Sequence, residues 1–85
     1  MASTEELLSE RQTTHGSFPE NAMVSQAIKR LFRNCPNYQG LNDIQKEGLD
    51  RISLKLGRIL GGNPNVKDHW DDIAGYATLV SQEIK

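Results

Sequence analysis

Residues 67–79, KDHWDDIAGYATL, crowd three aspartates, a histidine, a tryptophan and a glycine into little more than three helical turns. Carboxylates in a first turn complement the positive end of a helix dipole, and the same groups can hold a ligand. At about 100° per residue, Asp68, Asp71, Asp72, Gly75 and Leu79 fall on one face, opposite a seam that contains Trp70. A glycine inside a helix costs about 1 kcal/mol against alanine, so Gly75 points to a close approach by a helix, a second subunit or a ligand. Trp70, in the seam, is expected in the core, and Tyr76 can stack on a base or fill space.

A basic strip lies upstream, where Arg51, Lys55 and Arg58 follow one another at helical spacing. Arginine offers a bidentate fork to phosphate and lysine a point charge. The bland alternative is a solvated edge paired with Asp68 or Asp72. Further upstream, Arg11 and His15-Gly16 form a turn whose backbone N–H groups, beside a helix start, suit an anion. His69 has no second His or Cys at metal-ligand spacing, and Cys35 lies in no motif. For magnesium, Glu47-x-x-Asp50 and Asp68-x-x-Asp71 have suitable spacing, but they can meet only across a subunit contact.

Four helical segments position these groups, and no stretch alternates with the period of a strand. The first runs from Glu5 to Gln12 behind a capping pattern at Ser3 and Glu6; the second runs from Pro19 to Arg33. After the loop NCPNYQGL, Asn42 and Gln45 open a third helix that carries Ile44, Leu49, Ile52, Leu56 and Ile59 to a stop at Gly61-Gly62. The fourth, from Val66 to Ile84, sets Val66, Trp70, Ile73, Ala77, Val80 and Ile84 at alternating four- and three-residue steps. The expected fold is all-α: one domain over residues 1–85, a compact helical bundle of three main helices plus a short N-terminal helix.

Eighty-five residues bury a thin core, so a homo-oligomer is expected, a dimer or a dimer of dimers. The net charge of −1 gives no bulk attraction to a nucleic acid polymer, and no apolar run reaches the roughly 20 residues of a membrane span. The single cysteine and the acidic start, MASTEELLSERQ, lead to an expected cytoplasmic location.

The order Arg11…His15-Gly16-Ser17-Phe18, Lys55-x-x-Arg58, Asn63-Pro64 and Asp68-x-Trp70-x-Asp72-Ile73-Ala74-Gly75-Tyr76 resembles a group of small tailed-phage proteins. It is also similar to the helical part of a phage nucleotide kinase that lacks a P-loop, from about Glu5 onward. A more distant likeness is to the MazG-type all-α nucleotide pyrophosphohydrolases, although the second helix here has no EExxE box and offers only Glu20. The resemblance implies a phage-encoded nucleotide-binding protein working in the cytoplasm of an infected bacterium. One such form is a sponge that sequesters a cyclic-nucleotide or nucleotide-derived immune signal. Arg11, His15, Gly16, Lys55 and Arg58 would then serve phosphates, and Asp68, Asp72, Gly75 and Tyr76 the sugar or base. Sequestration requires no cofactor. The alternatives are a nucleotide-metabolism enzyme, pyrophosphohydrolase or kinase-like, which would use Mg2+, and a protein-binding inhibitor or adaptor.

Overall fold

The computed structural model describes residues 3–85, and they form four α-helices with no strand. Helix α1 spans Thr4–His15, α2 Phe18–Arg33, α3 Asp43–Gly61 and α4 Lys67–Gln82, with a short 3₁₀ helix at Pro36–Gly40. Local chemistry explains most of these bounds. Ser3 Oγ accepts the Glu6 N–H at 3.1 Å, and Ser17 Oγ accepts the Glu20 N–H at 3.4 Å. Asn42 and Gln45 exchange side-chain and backbone bonds of 2.8 and 3.0 Å, a complete capping box. The expected loop after Arg33 instead winds into the 3₁₀ helix, where the Tyr38 ring stacks on Phe32 at 5.8 Å.

Helix α3 is the centre. Its Gly57 and Gly61 press against Asn21 of α2, while Gly48 meets Val80 and Lys55 meets Asp72 on α4. Gly57 and Lys55 are two residues apart, about 200° around the helix, so α2 and α4 lie on opposite flanks of α3. Both run antiparallel to it, as the pairs Asp50–Arg33 and Gly48–Val80 show. The expected compact bundle is thus opened into a three-helix layer, with α1 laid across the junction of α2 and α3.

The interior of this layer is polar. Ile59 is the one large apolar side chain in the buried class among the described residues, alongside Asn21, Ser25, Ser53, Lys55 and His69. The expected placement of Trp70 in the core is corrected: it is 53% exposed, whereas its neighbour His69 is 2% exposed. Ala77 and Ile84 are exposed as well, and only Val66, Ile73 and Val80 of the expected seam are partly covered. Helix α4 is rotated by about one residue, 100°, from the apolar periodicity. The cause is polar: His69, Asp72 and Tyr76 have partners on α1 and α3 that an apolar line would not supply.

Glycines mark two different demands. Gly16 has φ 77° and ψ −168°, a region that side chains avoid, and a Cβ there would collide with the backbone of Gly61 and Gly62. The close approach expected at Gly75 is not found within the chain: beyond its own stretch of helix, no heavy atom lies within 4 Å of where a Cβ would stand. Gly16→Ala is therefore expected to destabilise the protein by at least about 2 kcal/mol, while Gly75→Ala stabilises it by about 0.5–1 kcal/mol. Urea unfolding of the two variants checks both signs.

Candidate functional site

The end of α1 meets the starts of α2 and α4 and the end of α3 at one point. The last carbonyls of a helix lack partners within it, and here side chains from other helices supply them. His69 Nε2 donates to the Thr14 carbonyl at 2.7 Å, and the Asn21 side-chain amide donates to the His15 carbonyl. A carbonyl only accepts, so the proton of His69 toward Thr14 is on Nε2. The His15 and His69 rings pack edge to face, with centroids 5.3 Å apart and planes at 85°. Thr14 Oγ1 lies 2.6 Å from His15 Nδ1, completing a small network that holds the imidazole in place.

Beside this junction lies a groove of about 630 Å³ between α1, α2 and α3. Arg11, His15, Gly16 and Arg58 all line it, together with Lys29 from α2. Leu8, Phe18 and Leu54 supply an apolar wall, and among the described residues no carboxylate contributes to the lining. Among the described residues neither Arg11 nor Arg58 has an acidic partner within ion-pair distance. Burial and then the charge of Arg11 pull the Arg58 guanidinium below its usual range, although it stays protonated. Burial, followed by the positive charges of Arg58 and Arg11, lowers the His15 pKa. The groove is a concentration of positive charge beside apolar surface.

The other sequence candidates lie elsewhere. Lys55, 8% exposed, gives its ammonium to Asp72 at 2.8 Å, and that hydrogen bond holds the Asp72 carboxyl below the ordinary carboxylate range. The pair sits between α3 and α4, next to the groove rather than in its lining. Tyr76 lies under the Arg51 guanidinium, 5.6 Å from its ring centroid. Asp68 and Gly75 are exposed on the side of α4 turned from α3. Among the described residues no three His, Cys, Asp or Glu side chains converge on a metal-sized site.

Lys29 was not singled out in the sequence, and Phe18 entered only within the string that carries the resemblance, without a role. The available signal was their stripe: Phe18, Ala22, Ser25 and Lys29 follow at three- and four-residue steps directly after the Gly16 turn. Comparison of the chain with family models, curated proteins and solved structures gives no match.

The lowered His15 pKa makes stability depend on pH with a definite sign. Below the unfolded value of 6.5, the unfolded chain binds the proton more readily than the folded one, so stability falls as pH drops through that value toward the native pKa. Melting temperature is expected to rise with pH across this window, with a shallower slope in His15→Asn. Equal slopes in the two proteins would remove His15 as the source.

Proposed function

We propose that the chain binds a nucleotide or nucleotide-derived anion in the α1–α2–α3 groove and acts by holding it. The carrying observation is the meeting of Arg11, Lys29 and Arg58 around one apolar-walled groove whose lining has no carboxylate. Like charges held together disfavour one another, and an anion would relieve that repulsion while gaining charge-assisted hydrogen bonds. A phosphate at Arg11 and Arg58 leaves the Phe18 and Leu54 wall for a base, which combines an anionic and a flat apolar part in one ligand. A volume of about 630 Å³ is in the range of small-molecule sites.

The likeness of the DxWxDIAGY string and the Arg11–Phe18 segment to tailed-phage proteins supports a setting for this binding. In that setting the ligand is a nucleotide signal of bacterial defence, and the protein lowers its free concentration. Sequestration needs affinity and no reacting group. Asp72 takes a different part from the other candidates, since its charge is engaged by Lys55 and it supports the wall behind Arg58.

Calorimetric titration with mono-, di- and cyclic nucleotides, with and without magnesium, tests the proposal. Arg11→Ala and Arg58→Ala should each weaken the best ligand by about 1.5–3 kcal/mol, roughly 10- to 150-fold, with helical circular dichroism unchanged. Affinity that is absent across the panel, or indifferent to both substitutions, would sink the assignment. Conversion of the ligand during the titration would replace holding with turnover.

A further inference from the structure

The layer has a second side. Lys55 faces α4, and one step back, about 100°, brings Leu54 to the groove side; one step forward brings Leu56 to the opposite side. Leu49, Ile52 and Leu60 share that side with Leu56. Because α4 runs antiparallel to α3, one step forward from His69 and Asp72 carries Trp70 and Ile73 to the same side. On the other flank one step back from Ser25 does the same for Val24, with Leu31 two turns on. None of these positions is charged. Ile73, Leu49 and Leu56 are only partly covered, and Leu31, Leu60 and Trp70 are 71%, 67% and 53% exposed.

We propose that this apolar side, opposite the groove, is the interface through which two copies of the chain pair about a two-fold axis. The area supports a second copy as the occupant. The chain exposes 6208 Å², whereas a folded monomer of 9.5 kDa is expected to expose about 5,000 Å². The excess, about 1,200 Å² over the whole chain, leaves room for the roughly 800 Å² that each partner contributes to a standard interface. Its radius of gyration, 14.7 Å, is also larger than the roughly 12 Å of a compact chain of this length. These positions carry no charge, so they need no complementary charge and can pair with their own image, as a two-fold contact requires. Two three-helix layers then stack, and both grooves face outward.

Sedimentation velocity of the full chain, with the emission of its single tryptophan, tests the pairing. The wild type is expected to be a dimer at micromolar concentration, and Trp70 emission should move to longer wavelength as dilution uncovers it. Leu31→Lys and Leu60→Lys replace side chains that the single chain leaves exposed, so its fold is preserved; each should raise the dimer dissociation constant by more than about tenfold. Phe18→Lys, on the groove side and 80% exposed, should leave it unchanged. A wild type that stays monomeric at high micromolar concentration overturns the proposal. So does a dimer that survives both leucine substitutions, whatever the effect of Phe18→Lys. Nucleotide affinity plays no part in the readout, so this result and that of the ligand titration stand separately.

Discussion

The close backbone approach of Gly16 to Gly61 and Gly62 is the contact on which the rest of the arrangement depends. Helix ends carry unsatisfied carbonyls, and bringing two chain segments this near leaves no room for a side chain between them. The approach places the Thr14 and His15 carbonyls within reach of His69 and Asn21, which anchor α1 from two helices at once. Helix α1 has no buried residue and no apolar stripe of consequence, so this anchorage at its end decides where it lies. The groove exists because α1 is held there, with Arg11 one turn before the anchor and Arg58 one turn before Gly62.

The interior that results is specified by hydrogen bonds and charge more than by packed hydrocarbon. Lys55 and Asp72 pair across α3 and α4, Ser53 Oγ donates to the Leu49 carbonyl at 2.7 Å, and His69 reaches a carbonyl 55 positions away in sequence. Such contacts add modest net stability, because each exchanges water for a protein partner, but they penalise any other rotation of the helices by leaving a polar group buried and unpaired. Glycines make the arrangement possible. Gly48, Gly57 and Gly61 let neighbouring helices approach α3 closely enough for these short-reach partners to meet.

Polar groups taking the inside leaves apolar groups outside, and the layer sorts them onto two sides. One side combines cations with Phe18 and Leu54, a surface suited to an amphipathic anion. The other carries leucines, two isoleucines, Val24 and Trp70, a surface suited to burial by its own copy. With a single large apolar residue in the buried class among the described residues, the fold draws little hydrophobic stabilisation from within itself, so covering the second side would contribute to holding the layer together. On the proposed reading, ligand binding and self-association would be separate properties of opposite surfaces.

Sequence alone determined the four helices and most of their starts, because those signals act over three or four residues; the extension of α1 past Gln12 to His15, the 3₁₀ turn at Pro36–Gly40 and the end of α4 at Gln82 rather than Ile84 came from the structure. Ser3, Ser17 and Asn42 cap the N–H groups next to them, Pro19 suits a helix start, and Gly61-Gly62 signals the stop of α3, while its close approach to Gly16 and Asn21 is a tertiary contact. It also brought Arg11, His15, Gly16 and Arg58 forward as candidates, by residue type. Their convergence in one groove, the addition of Lys29, and the separate place of Lys55 with Asp72 came from how the helices pack. The rotation of α4 shows why. Its apolar seam and its His69–Asp72–Tyr76 line overlap in angle, and either could face α3 on periodicity alone. What decides between them is whether a carbonyl from Thr14 and an ammonium from Lys55 are waiting on the facing helices, and that is a fact of tertiary contact between residues far apart in the chain.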